Sequence, residues 1–436
     1  MAAKIFYGTL CHSTADDPMV ILEDHILGVK NGKIQLVKDS SYLDEALSEL
    51  GLQEKDVKYL KKGKFLMPGL IDTHIHASQY VYTGTAMELH LLDWLKNYTY
   101  PIEANFEDLK FAEDVYQKAV KRVLKNGTTT ACYFATIHVD ATLKLCDIVE
   151  NAGQRAYIGK VNMDAYSPHY YVETTQESKE ETEKFVTKIL KKNNPLIKPV
   201  ITPRFAPNCT LELSKYLGHL AKQYDLPIQS HISETTDEVE WVKELFPGSK
   251  HYADVYDQCN LLTDKTVMAH GVYLSDEELK LFKSTGTGIS HCPNSNLSLR
   301  SGMMDARRVL DMGVKLGLGT DVSGGYHPSM LDAIRTAVQV SNVISLDMHT
   351  DYKSLSHREA FKLATLGGSE VLGLSDKTGN FEVGKEFDAL LVDTTVVEGP
   401  VDIFKRDSTD DIIQKFLFLG DDRNIQEVYV AGKQVL

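Results

Sequence analysis

The chain has 436 residues, 43% of them hydrophobic, and a formal net charge of -14 at pH 7. Its apolar content suffices for a large folded core, while no stretch approaches the roughly 18 consecutive apolar residues that a membrane span requires. An acidic chain also disfavours nucleic acid, whose phosphates bind clustered Lys and Arg. We therefore expect a cytoplasmic protein with neither a membrane nor a nucleic-acid partner.

The two ends of the chain predict β structure. In "ILGVKNGKIQLVKD" two alternating runs flank Asn31-Gly32, a dipeptide suited to a type I′ hairpin turn. Near the other end, "FDALLVD" predicts a strand and "EVYVAGKQVL" a second hairpin around Ala431-Gly432. Because neither end has enough strands for a stable sheet of its own, we expect the two to form one small composite β-sandwich domain.

The segment between these ends alternates short apolar runs with longer amphipathic ones such as "EDLKFAEDVYQKAVKRVLKN", as in repeated βα units. Eight runs predict strands: "FLMPGLIDTHIH", "GTTTACYFAT", "RAYIGKVNMD", "IKPVITPRFA", "PIQSHISE", "TVMAHGV", "GTGISHCPNS" and "VKLGLGTDVS". Eight such units indicate an α/β fold, a TIM-like (β/α)8 barrel whose active site lies at the C-terminal ends of the strands. The predicted boundaries are residues 68–378 for the barrel, with 1–67 and 379–436 as the two halves of the β domain.

Six cysteines have no paired spacing, which argues against a disulfide framework and against a Cys-x-x-Cys zinc site. They are expected to be reduced and mostly buried. A metal site would therefore use other ligands.

Several predicted strand ends carry side chains that bind metals. His74 and His76 lie two residues apart on the first strand, so both leave the same face. His231 lies on the fifth strand and His270 ends the sixth, while Asp321 follows the eighth. Each histidine alone is more often a hydrogen-bonded structural residue than a ligand. Together they predict a catalytic metal site of imidazole and carboxylate ligands, with one position open for water.

Glu234 follows His231 by three residues, in "HISE". A carboxylate beside a metal-bound water can accept its proton and later donate it to the substrate. Taken alone, Glu234 would be interpreted as a solvated residue of the acidic run "SETTDEVE". Its position beside a candidate ligand favours catalysis.

A family resemblance rests on "PGLIDTHIHASQY", "NGTTTACYFATIH", "IQSHISE", "KTVMAHG", "HCPNSNLSL", "GLGTDVSGGY" and "GNFEVGKEFDA". From near residue 65 to the C-terminus, the chain resembles the guanine deaminases of the amidohydrolase superfamily. The resemblance implies zinc-dependent hydrolysis of guanine to xanthine and ammonia in purine catabolism, with guanine and water as substrates. It also implies a homodimer.

The resemblance further implies one Zn²⁺ per subunit, held by His74, His76, His231 and Asp321. His270 then acts beside Asp321 as a catalytic partner rather than as a ligand, and Glu234 carries the proton. Two-metal members of the superfamily typically use a carbamylated lysine on the fourth strand. Here that strand reads "PVITPRFA", with no lysine at its end, which favours a single metal.

For the substrate, the resemblance implies that Gln79 and Arg204 bind the polar edge of the purine while Phe205 lies against its face. Arginine has only donors, so it suits the O6 carbonyl of guanine. Without the resemblance, Arg204 would be interpreted as a surface ion pair and Phe205 as a core residue. Trp94 either closes the pocket or occupies a helix core. His291, at another strand end, is expected to support a loop rather than to act in catalysis.

Two other functions fit the sequence less well. One is a different amidohydrolase that deaminates cytosine, adenosine derivatives or triazines, against which the segments "ASQY" and "PRF" weigh. The other is a barrel that has lost catalysis and binds partners. Such a scaffold has no need of the complete ligand set, which this chain retains together with Glu234.

Overall fold

The structure, a computed structural model, describes residues 3–347 and 351–436. Its strands are β1 (Lys4–His12), β2 (Val20–Lys30), β3 (Lys33–Asp39), β4 (Val57–Tyr59), β5 (Lys64–Pro68), β6 (Leu70–His76), β7 (Thr128–Phe134), β8 (Arg155–Gly159), β9 (Val161–Asn162), β10 (Ile197–Pro199), β11 (Thr202–Pro203), β12 (Ile228–Ile232), β13 (Thr266–His270), β14 (Gly288–His291), β15 (Lys315–Leu318), β16 (Ala389–Asp393), β17 (Ile425–Val430) and β18 (Lys433–Gln434).

Its α-helices are α1 (Leu43–Leu50), α2 (Leu91–Trp94), α3 (Tyr100–Ala104), α4 (Leu109–Lys125), α5 (Val139–Ala152), α6 (Thr175–Lys192), α7 (Leu211–Tyr224), α8 (Thr236–Leu245), α9 (Tyr252–Asp257), α10 (Asp276–Thr285), α11 (Pro293–Ser298), α12 (Ala306–Asp311), α13 (Met330–Asp347), α14 (His357–Leu363), α15 (Leu366–Val371) and α16 (Thr409–Leu419). All eight segments predicted as barrel strands contain strands, and the helix predicted around residues 107–126 is α4.

Helix α4 shows how the local sequence sets these elements. Asp108 caps its first turn by accepting a hydrogen bond from Lys110 N at 2.8 Å. Val115, Ala119 and Val123, spaced four residues apart, lie on one face and are buried. The apolar face therefore packs inward while the charged residues face solvent.

Two parallel sheets form the centre of the molecule. One has the strand order β10-β8-β7-β6 and the other β12-β13-β14-β15, and the short strands β9 and β11 pair with each other. A parallel bridge between Ile201 and Ile228 connects the first group of strands to the second. All carboxyl ends within a parallel sheet lie at one edge, so side chains at those ends can meet.

Two backbone hydrogen bonds connect the chain after β15 to the end of β6. Asp321 N donates to His74 O at 2.9 Å, and His76 N donates to Val322 O at 3.0 Å. The first strand of one sheet thus lies beside the segment that follows the last strand of the other. This contact brings three of the predicted ligands into one place.

The remaining strands, from both ends of the chain, form one eight-stranded sheet. Its order is β18-β17-β16-β5-β1-β2-β3, with β4 added on β1. Both predicted hairpin turns are present, with left-handed backbone at Asn31 (φ 53°) and Gly32 (φ 79°) and again at Ala431 (φ 47°) and Gly432 (φ 77°). The two ends therefore combine as predicted, in a single sheet, while the sandwich arrangement stays a prediction.

The two hairpin turns meet. Phe387 N donates to Gly32 O and Gly432 N donates to Phe387 O, both at 2.9 Å. Phe6 and Tyr429 pack with Phe387 at ring-centroid distances of 5.2 Å for both pairs. Opposite ends of the strand order are thus joined around a small aromatic core.

The cysteines and the helices can be compared with the expectations drawn from composition. All six cysteines are buried and free within the described residues, as predicted. Burial raises the pKa of the Cys132 and Cys146 thiols, which keeps both protonated. Over residues 3–347 and 351–436, no helix combines the length and the apolarity that crossing a membrane requires.

The contact between the turns predicts the effect of Gly432→Ala. The new Cβ would collide with the Gly32 backbone and the residue has φ 77°, so we expect a loss of about 2–4 kcal/mol in the free energy of unfolding. Gly51→Ala is the matched control, because Gly51 has φ 70° but open space around it, and about 1 kcal/mol is expected. Denaturant unfolding measures both, and equal losses would show that the turns do not support each other.

Candidate active site

Four predicted ligands converge at the edge where β6, β12 and the segment after β15 meet. The ligand atoms of His74, His76, His231 and Asp321 all lie within 4.8 Å of one another. Asp321 Oδ1 is 3.0 Å from His74 Nε2 and 3.4 Å from His76 Nε2. His76 Nε2 is 3.1 Å from His231 Nε2. These four residues are called the metal group below.

The chemistry of the metal group fits a metal ion. His74 Nε2 is buried, and although it lies 3.0 Å from Asp321 Oδ1, it meets hydrogen-bond geometry with no atom of the described residues. Burial lowers the pKa of His74 and lowers that of His76 to about 4, so both imidazoles are neutral, the form that binds metals. Burial alone would raise the pKa of Asp321, but His74 and His76 hold it well below its usual value. Three neutral nitrogens and one carboxylate oxygen make a common ligand set for a divalent ion.

The tautomer of His231 is also set for coordination. Its Nδ1 lies 2.6 Å from the backbone oxygen of Arg204, to which it donates. The lone pair is therefore on Nε2, which faces the other ligands. A metal-binding histidine typically has its second nitrogen held in this way.

His270 lies between two carboxyl groups. Its Nε2 is 3.4 Å from Glu234 Oε2 and 3.8 Å from Asp321 Oδ2, while its Nδ1 is 2.9 Å from Asn296 Oδ1. His270 (φ 74°) and Asp321 (φ 47°) both have left-handed backbone. Such strained conformations in residues other than glycine cluster at functional sites.

Glu234 is buried and has few polar partners. Ser301 Oγ donates to its Oε1 at 3.0 Å. Burial and then the charge of Asp321 raise the pKa of Glu234 to about 8. A carboxyl group with this pKa can accept and release a proton near neutral pH.

One cavity adjoins the metal group and brings the predicted residues together. Its lining residues are His76, Gln79, Leu91, Trp94, Leu95, Arg204, Phe205, His231, Glu234, Glu238, His270, Leu299 and Asp321. All four residues predicted to contact substrate are among them. Trp94 is buried, and its indole nitrogen has no hydrogen-bond partner among the described residues.

His291 lies outside this set. It is fully buried, neither ring nitrogen has a hydrogen-bond partner among the described residues, and burial lowers its pKa to about 3. It does not line the cavity. Its role in supporting a loop stays a prediction.

Several polar residues at the site were not found from the sequence. They are Asp72, Glu103, Glu238, Asn296 and Ser301. Asp72 Oδ1 accepts from Thr320 N at 3.0 Å and from His74 N at 3.2 Å, which ties β6 to the segment after β15. The period of two in "DTHIH" could have identified Asp72, because it shares a strand face with His74 and His76.

The comparisons with known proteins agree with the geometry. The amidohydrolase family matches residues 65–435. Guanine deaminase of Rattus norvegicus is 54% identical over 100% of this chain and 97% of that protein, and the Homo sapiens enzyme gives the same values. The crystal structure of guanine deaminase from C. acetobutylicum with guanine in its active site is 37% identical, covers 100% of both chains and has a TM-score of 0.92. The resemblance drawn from the motifs is confirmed.

The metal group predicts metal content. We expect elemental analysis to find one divalent metal ion per chain, and chelation to lower the thermal unfolding midpoint by several degrees because the ion binds only the folded state. His231→Asn should lose the ion, whereas the control His291→Asn, another buried histidine, should keep it. Equal metal content in the two variants would contradict the assignment.

Proposed function

This chain belongs to the guanine deaminases of the amidohydrolase family, and we propose that it hydrolyses guanine to xanthine and ammonia, with water as the second substrate. One observation carries the proposal: a single cavity adjoins the metal group, Glu234 and the predicted purine-binding residues. Water, the proton carrier Glu234 and guanine can therefore meet in one cavity.

We propose Zn²⁺ as the metal, one ion per chain, held by His74, His76, His231 and Asp321. When bound, the ion supplies Lewis acidity and lowers the pKa of water. Three imidazoles and one carboxylate suit zinc, and the fourth-strand segment "TPRF" ends without a lysine for a second ion.

Glu234 is the proposed proton carrier. It takes a proton from the attacking water, delivers it to ring N3 and so makes C2, which carries the amino group, more electrophilic. A further proton transfer lets ammonia leave. The raised pKa of Glu234, about 8, supports both the uptake and the release of this proton. His270, held by Asn296, faces Glu234 and Asp321 and can stabilise the oxygen as it bonds to C2.

Gln79 and Arg204 are proposed to bind the polar edge of guanine, with Phe205 against its face and Trp94 as a wall of the cavity. Arg204 can only donate, so it can form a hydrogen bond to the O6 carbonyl of guanine but not to the amino group that adenine carries at that position. A buried hydrogen-bonding site of this kind can favour its substrate over a mismatched analogue by a factor of about 10⁴ to 10⁵ in kcat/KM.

The fold supports a more detailed proposal. We propose that the two parallel sheets close into a (β/α)8 barrel over residues 68–378. The bridge between Ile201 and Ile228 joins the sheets on one side, and the backbone bond from Asp321 to His74 joins them on the other. Residues 1–67 and 379–436 then form the β-sandwich. The meeting of the hairpin turns at Gly32 and Gly432 supports that arrangement.

We also propose a cytoplasmic homodimer that acts in purine catabolism. The free, buried cysteines support a reducing compartment. The homodimer rests on the family resemblance. Size measurement in solution tests it directly.

The first test is a steady-state assay of the zinc-loaded protein with guanine, which follows both ammonia and xanthine. Adenine and cytosine serve as comparison substrates. We expect turnover of guanine alone, because the predicted contacts match only its O6 edge. Absence of guanine turnover in protein with confirmed zinc would refute the proposed substrate.

A second test is Glu234→Gln, which keeps the size of the side chain but removes its ability to carry a proton. We expect zinc content to be unchanged and kcat to fall by about 10² to 10⁴. Glu278→Gln is the matched control, because Glu278 is a buried capping glutamate outside the cavity. Near-normal kcat in Glu234→Gln would exclude the proposed role.

A further inference from the structure

Glu103 connects the predicted substrate-binding residues to one another. It lies on α3, is completely buried, and its carboxylate accepts from Arg204 Nη1 at 2.7 Å and Nη2 at 3.3 Å. Gln79 Nε2 donates to Glu103 Oε1 at 3.1 Å, and Tyr171 Oη donates to Oε2 at 2.8 Å. One carboxylate thus fixes side chains from three other segments.

These bonds determine how Gln79 faces the cavity. A carboxylate only accepts, so the atom that contacts Glu103 is the Gln79 amide nitrogen. Ser323 N donates to Gln79 Oε1 at 3.2 Å, which fixes the other end of the amide. Gln79 therefore presents one free N–H and one free oxygen lone pair in a defined orientation. Arg204 uses two of its five N–H donors on Glu103 and a third toward Met163 Sδ at 3.7 Å, which leaves two for a ligand.

The bonds also balance charge. Burial would raise the pKa of Glu103, but Arg204 holds it below its usual value, so the carboxylate is ionised. Burial would lower the pKa of Arg204, but Glu103 raises it. The Arg204–Glu103 pair, with side chains 3% and 0% exposed, therefore has no net charge.

We propose that Glu103 is a positioning and specificity-determining residue: it orients Gln79 and Arg204 toward neutral guanine and cancels the arginine charge that would otherwise retain an anionic product. This inference rests on the proposed function. An unpaired buried arginine attracts anions. Xanthine has a second carbonyl and an additional N–H at N3 beside it, which makes it a stronger acid than guanine. Glu103 thus favours binding of the substrate and release of the product.

The protein groups around the pair remain neutral near neutral pH. They are His76, Tyr82, Tyr100, Tyr116, His138 and Tyr171. Burial raises the pKa of each of these tyrosines and lowers the pKa of both histidines. Burial and the charge of Asp321 raise the pKa of Glu234 to about 8, and Glu103 is not among the groups that shift it, so we expect the same titration in Glu103 variants. A pH effect that appears only in a variant therefore reports the ligand.

The experiment measures KM for guanine and inhibition by xanthine between pH 6 and pH 9 in the zinc-loaded enzyme. In Glu103→Gln we expect KM to rise by about 10-fold to 100-fold, since a charge-assisted hydrogen-bond pair is lost. In the same variant, inhibition by xanthine should tighten by about tenfold as pH rises. Xanthine loses a proton as pH rises, and Arg204 carries a charge that residue 103 no longer cancels. Glu103→Asp keeps the charge but not the geometry, so it should raise KM without tightening inhibition.

Asp388→Asn provides the matched control. Asp388 forms a buried pair with Arg155 at 3.0 Å, side chains 1% and 3% exposed, outside the cavity. Its loss should reduce stability without changing KM or xanthine inhibition.

The outcomes separate the two hypotheses. A wild-type enzyme that does not act on guanine refutes the proposed function. An active wild type whose xanthine inhibition tightens steeply with pH refutes the charge cancellation even if no variant folds. If Glu103→Gln changes KM and xanthine inhibition equally at every pH, Glu103 has only a structural role and the proposal is wrong.

Discussion

The backbone bonds between the end of β6 and the segment after β15 position most of the site. The bonds from Asp321 N to His74 O and from His76 N to Val322 O set the spacing between a strand and a segment that together carry three of the four candidate ligands. Asp72 reinforces this contact by accepting from Thr320 N, one residue before Asp321. Backbone direction fixes side-chain direction. The distances between the candidate ligands are therefore set by the hydrogen-bonded junction of the two sheets.

The carboxyl groups around the cavity differ in their partners, and their protonation follows. Asp321 faces two histidines and Glu103 faces an arginine, so both are ionised despite burial. Glu234 accepts a hydrogen bond from a serine hydroxyl and faces His270, and burial together with the charge of Asp321 raises its pKa to about 8. We propose that these three buried acids act as a ligand, a positioning group and a proton carrier. Environment, not residue type, assigns these roles.

Much of this arrangement could be predicted from the sequence. The alternation of apolar runs predicted eight barrel segments, all of which contain strands, and the period of two placed His74 and His76 on one face. Glu103 could not be predicted, because "YPIEANFEDL" resembles a solvated acidic helix and its partner Arg204 is 101 residues away in sequence. Strand order in the end sheet was equally inaccessible. Turn sequences predict hairpins between neighbouring strands. Pairing between strands that are distant in sequence depends on tertiary packing, which hydrophobic periodicity does not predict.

The sheet that unites both ends has a consequence for the order of folding. Strand β3 ends at Asp39 and β16 begins at Ala389, so both parallel sheets are synthesised before the strands that complete the end sheet exist. The entropic cost of bringing the two ends of the chain together grows only slowly with the length between them. Until β16 is made, however, the unpaired edge of β5 must be kept from pairing with other chains. On the ribosome, the metal group can therefore assemble while β1 to β5 still await their C-terminal partners.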